Sequence, residues 1–182
     1  MSTVRETVKA KSPYKRGADE GIFMGALFIV LFLAVTKSMD SMFATWIAWI
    51  LALVGVPGLT FYLLRRSNER DNGLTLHSSL WVQGIVIFFC GSLILALFIY
   101  LYLRWMNPTF MVDHLIKMAD AYASMNTPQG QQISDTIHAI IKQDLVPSAI
   151  SIGIETIWIG VFTGSLLSIV LAWIVKLKKF RY

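Results

Sequence analysis

Few side chains in this sequence are placed to do chemistry, and the sharpest candidate is Glu155. It lies six residues into an apolar block, 149–175. At 1.5 Å per residue that is a depth of about 9 Å, where an ionisable group is costly and raises the hypothesis of a proton or cation relay. Ser148, Ser151 and Ile159 share its helical face. The structural alternative is a carboxylate that is protonated, hydrogen-bonded to a neighbouring helix, or reaching up to the outer headgroups. No Lys or Arg lies within the core of any apolar block, so a relay would run on one carboxylate. Gln83, near the start of the block 80–103, is suited to bonding between helices, worth about 0.6 kcal/mol. Pro57, flanked by Gly55 and Gly58, is expected to kink its helix and free a carbonyl. Such breaks line transporter sites and also occur in plain structural bundles.

The remaining reactive residue types do not converge. Asp135 and His138 share a helix face and Asp113 adjoins His114, but no ligand set of dedicated metal spacing exists. His77 stands apart from both pairs. Cys90, the single cysteine, falls deep in an apolar block, where a thiol is an inert small hydrophobe. No nucleophile–base pair or phosphate-cradling glycine loop is present. The expectation is therefore no enzyme, no metal and no cofactor.

The elements that position these residues follow from composition. Of 182 residues, 55% are hydrophobic and 15% charged, against about 25% charged in a soluble domain. These proportions exclude disorder, coiled coils and disulfide scaffolds. The apolar residues come in blocks at 42–64, 80–103 and 149–175, each long enough to cross a hydrocarbon core of roughly 30 Å as a helix. A fourth block, 21–36, reaches spanning length only if the helix begins at Gly17, giving a span of 17–38 with Asp19 and Glu20 at headgroup level. Runs such as Ile85-Val86-Ile87-Phe88-Phe89 do not alternate, which excludes a barrel. A cleaved signal peptide is disfavoured by Asp19 and Glu20 and by the poor cleavage site at Ala34-Val35-Thr36-Lys37. Gly17, Gly21 and Gly25 form one close-packing stripe, and Thr156, Gly160, Gly164 and Ser168 a second that faces away from Glu155. The first stripe is expected to meet another helix of the same bundle, with a homodimer seam as the alternative.

Charge orients the spans. Arg5, Lys9, Lys11, Lys15 and Arg16 precede the first, Arg65, Arg66 and Arg70 follow the second, and Lys176, Lys178, Lys179 and Arg181 follow the fourth. The opposite side holds only Lys37, Arg104, Lys117 and Lys142. The positive-inside rule places both termini in the cytoplasm. The net charge of +5 calls for anionic lipid rather than nucleic acid. On the other side, 105–147 reads as two amphipathic helices, one starting at Asn107-Pro108 and one at Thr127-Pro128. Their stripes are Met111, Leu115, Met118, Tyr122 and then Ile133, Ile137, Ile140, Ile141, Leu145, ending at Pro147. The apolar faces have three outlets: each other and their own bundle, the outer leaflet, or a partner.

This order of elements resembles a family of small bacterial membrane proteins catalogued as domain of unknown function 4199. The resemblance rests on Asp71-Asn72-Gly73-Leu74-Thr75, leading through Trp81 to Gly84 at the mouth of span three. It implies a Gram-negative inner membrane and the same topology, and it carries over no activity and no site residue.

The sequence therefore indicates an all-α integral membrane protein: a single membrane domain, a four-helix transmembrane bundle with an external amphipathic pair between spans three and four. Two functions fit. One is a structural or accessory protein assembling with itself or with a larger membrane complex. The other is a small oligomeric transporter or channel using Glu155 and the Pro57 kink, although no internal repeat is visible.

Overall fold

Apolar helical blocks satisfy their own backbone, and every regular element among the described residues is a helix. The structure, a computed structural model, describes residues 12–38 and 40–177. Arg5, Lys9, Lys11, Lys178, Lys179 and Arg181, which carry much of the charge argument, lie outside them. Four helices are long and apolar enough to cross a membrane: α1 (Pro13–Ser38), α2 (Met42–Arg70), α3 (His77–Met106) and α6 (Ala149–Leu177). Two shorter ones, α4 (Phe110–Ala123) and α5 (Pro128–Lys142), lie between α3 and α6. The chain divides into two units: residues up to Leu95 together with those from Thr156 onward, and Ala96–Glu155.

Three features of α1 and α2 depart from the sequence reading. α1 starts at Pro13, so Lys15 and Arg16 are helical rather than part of a tail. α2 runs on to Arg70, which puts Arg65, Arg66 and Arg70 on the helix instead of in a loop. Here Arg65 Nε donates to Glu69 Oε1 at 2.7 Å, one turn on, and such pairs favour helix continuation. The disturbance expected at Pro57 takes the form of a wide π turn at Leu51–Gly55, closed by the Val56 N–H on the Leu51 carbonyl. A widened turn makes room for the proline ring, which lacks an N–H and crowds the preceding turn.

In the first unit α3 is the helix that the glycine stripes address. A Cβ on Gly17 would stand 2.7 Å from the Cβ of Val86, on Gly21 2.5 Å from that of Cys90, and on Gly25 2.9 Å from that of Ile94. Both series climb four residues at a time, so α1 and α3 run parallel. Gly160 meets Ser92, Gly164 meets Phe88, and Gly84 meets Ser168, a descending series that makes α6 antiparallel to α3. Missing side chains let backbones approach closely where lipid gives no hydrophobic drive. Met24, Phe28, Leu63, Leu64, Leu80, Ile87, Phe88 and Ala172 fill the spaces between.

In the second unit α4 and α5 pack on each other. Ala119 and Ile137 are their buried apolar residues, and Gly130 passes close to the Tyr122 carbonyl. Thr127 caps α5 by accepting from the Gly130 N–H at 3.0 Å, with Pro128 at the first helical position. α4 begins later than expected, at Phe110, because Pro108 and Thr109 form a turn. α5 ends at Lys142, before Leu145. Asp144 takes a left-handed conformation (φ 55°), and the Leu145 and Asp144 N–H groups cap the carbonyls of Ile140 and Ile141. Ile133 and Leu145, expected in the apolar stripe, are exposed, and Ser134 takes a buried place.

Candidate functional site: a polar clasp across three helices

The Asn-Gly pair after α2 sets the geometry of the site. Asn72 (φ 51°) and Gly73 (φ 75°) both have left-handed backbone, which suits this pair in a tight reversal, and the Leu74 N–H closes the turn on the Asp71 carbonyl at 3.0 Å. The Gly73 N–H also returns to the Asn68 carbonyl at 2.8 Å and the Asn72 N–H to that of Glu69, ending α2 in a Schellman cap. The turn holds Asp71 facing the first turn of α1. There Arg16 makes a two-pronged bond, Nη1 to Oδ2 at 2.6 Å and Nη2 to Oδ1 at 2.7 Å, while Thr75 Oγ1 donates to Oδ2 at 2.9 Å. The Arg16 bond, more than any other influence, holds the Asp71 carboxyl below its usual range.

From Arg16 a chain of hydrogen bonds enters the bundle. Arg16 Nη1 donates to Ser67 Oγ at 3.1 Å, Ser67 Oγ to Gln83 Oε1 at 2.8 Å, and Gln83 Nε2 to Glu20 Oε2 at 2.6 Å. Every donor points the same way, from the guanidinium to the carboxylate, an arrangement in which successive bonds polarise one another. Glu20 is 7% exposed, Gln83 1% and Ser67 0%. The chain starts and ends on α1, one turn apart, and passes through α2 and α3. A hollow of about 230 Å³ reaches Gln83 past Arg16, Asp71, Thr75, Leu76 and Ser79. Nearby, Lys176 Nζ donates to the Gly73 carbonyl at 2.8 Å, and the His77 ring meets Trp173 edge-on at 6.1 Å. The beginning of α1, the α2–α3 turn and the end of α6 thus share one end of this unit.

Gln83 lies at the centre of the cluster. Glu20 turns inward on the side of Gly21, Met24 and Phe28 while Asp19 is exposed. The signal was available: Glu20, Met24 and Phe28 recur every four residues beside the glycine stripe. Arg16, Ser67 and Asp71 read from the sequence as tail and loop, which hides their place in the clasp. Glu155 is far along the chain from this cluster, exposed, and without a hydrogen bond or ion pair to any described residue in the structure. Beside it, Ser148 Oγ accepts from the Ser151 N–H at 3.2 Å, which caps α6. Of the histidines, His114 lies against Phe110 at 5.5 Å and His138 is exposed.

The remaining motif residues bind α3 to α6. Trp81 Nε1 donates to the Ser165 carbonyl at 3.3 Å, and Gly84 admits Ser168. No curated protein and no solved structure shows a detectable likeness to the chain. A family model does, over residues 20–177, which takes in the α2–α3 turn, Gln83, α1 from Glu20 onward and the other three long helices. This multi-pass membrane protein therefore belongs to the family described as protein of unknown function (DUF4199).

Proposed function

We propose that this protein is a structural or accessory component of the bacterial inner membrane. It carries both termini in the cytoplasm and the α4–α5 pair on the outer side, and it assembles with itself or with a larger membrane complex. In this reading it has no catalytic activity, cofactor or nucleic-acid partner. The observation that carries it is how one cluster of polar groups at the end of the bundle is used. Arg16, Ser67, Gln83 and Glu20 are spent on one another, tying three helices together. Reactive groups that clasp helices suit a scaffold better than a pathway.

Native mass spectrometry of the tagged protein, extracted gently from its own membranes, tests this. Reproducible partner subunits support the accessory role. A defined homo-oligomer carrying a bound ion and no other subunit favours the second reading, a small transporter or channel. That reading draws on the π turn before Pro57, which releases backbone from regular helical bonding.

A further inference from the structure

The outward side of α2 changes character along its length. Ile50, Leu53 and Val54 are exposed apolar residues. One turn on, Gly58 leaves an open notch, with nothing within 4 Å of where a Cβ would stand. Next comes Tyr62, 57% exposed, and then a hollow of about 310 Å³ lined by Phe61, Tyr62, Arg65, Arg66 and Glu69. Arg65 is braced by Glu69 at 2.7 Å, Arg66 is exposed, and Arg70 follows on the same helix end. An apolar lane thus leads over a notch to an aromatic rim and then to two guanidinium groups. Tyr and Trp settle at the headgroup level, and Arg recognises phosphate with a planar array of donors.

We propose that this lane and hollow bind one anionic phospholipid of the bilayer. Its phosphate sits between Arg65 and Arg66, its glycerol region lies at Tyr62, and an acyl chain runs over the Gly58 notch along Leu53 and Val54. The charge sets the class: two arginines against one glutamate select an anionic headgroup over a zwitterionic one. The assignment rests on α2 crossing the membrane and not on the accessory role, so the two can fail separately.

Native mass spectrometry of the full chain in a mild detergent, titrated with phosphatidylglycerol or with phosphatidylcholine of the same acyl chains, reads the binding. Wild type is expected to take up phosphatidylglycerol roughly tenfold more tightly, and Arg65→Gln with Arg66→Gln to erase that preference. Gly58→Leu keeps both arginines and fills the notch, and it is expected to weaken phosphatidylglycerol binding. It also decides the matter if the arginine variant does not fold. Equal uptake of the two lipids by wild type overturns the proposal, as does a preference that survives both variants. Glycerol phosphate binding as tightly as the lipid, and lost with the same arginines, would make this a site for free phosphate esters and overturn the lipid assignment.

Discussion

Gln83 occupies a place that needs a donor and an acceptor on one side chain, since its amide oxygen takes the Ser67 hydroxyl while its nitrogen serves Glu20. Hydrogen bonds between membrane helices average about 0.6 kcal/mol, but this one ends on a buried carboxylate, which places it higher. Gln83→Leu is expected to cost about 2 kcal/mol in a denaturant titration of the micellar protein. Adding Glu20→Leu should recover part of the loss, because the carboxylate is then no longer buried without its donor, and only the Ser67 hydroxyl has lost its acceptor. Additive losses would show that the two residues are not coupled. Asp71 behaves differently because water reaches it. Its carboxyl is held below the usual range by Arg16, so its contribution is complete above that range and lost as pH falls through the lowered value. Acid should therefore loosen the α1–turn contact only below the ordinary carboxylate range. Hydrogen exchange of residues 67–75 against pH reads this, and Asp71→Asn should lack the acid step and exchange faster at neutral pH. Glu155→Gln, at an exposed position, should leave expression and assembly near normal; loss of function in a folded, assembled protein would restore the relay. Sequence reasoning gave Glu155 first place because depth along a helix is countable. Glu20 lies nearer an end, and only its register with Met24 and Phe28 shows that it turns inward.

At the level of elements, the glycine series was legible because four-residue spacing is written directly in the chain. Which helix answers it was not, since Val86, Cys90 and Ile94 look like any apolar stripe. The clash predicted for Gly21→Ala is specific: the new methyl would stand 2.5 Å from the Cβ of Cys90. Overpacking of this kind costs about 1–3 kcal/mol. Cys90→Gly should rescue it, whereas Cys90→Ala, which keeps the Cβ, should not. Rescue by Cys90→Ala would mean that the sulfur, and not the backbone approach, sets the limit. Element ends were the least legible part. α2 outruns its apolar block by six residues because the Arg65–Glu69 pair and the Asn72 cap carry the helix to Arg70. α5 stops short of Pro147 because Asp144 takes the left-handed conformation that closes its cap. The family motif gains its meaning at this scale: Asn72 and Gly73 turn the chain, Asp71 receives Arg16, and Trp81 and Gly84 seat α6.

For the whole molecule, the number of crossings follows from the blocks, and orientation rests on charge alone. α3 has 30 residues, a length of roughly 45 Å at 1.5 Å each, more than enough to cross a hydrocarbon layer of roughly 30 Å. The proposed topology puts the α2–α3 turn in the cytoplasm and the α4–α5 turn on the outer side. Arg65, Arg66, Arg70 and Lys176 lie on the same side as the first turn of α1, and basic residues near span ends are retained in the cytoplasm. Leu74, 82% exposed, and Met125, 61% exposed, mark the two turns. Cys90→Ala provides a thiol-free background that keeps the Cβ against Gly21. In that background, Met125→Cys should react with a membrane-impermeant maleimide on intact spheroplasts, and Leu74→Cys only after the membrane is opened. The opposite pattern would invert the topology while leaving four spans in place. Labelling of both from outside would break α3 as a span, and with it the ground for placing Arg65 and Arg66 at a lipid headgroup.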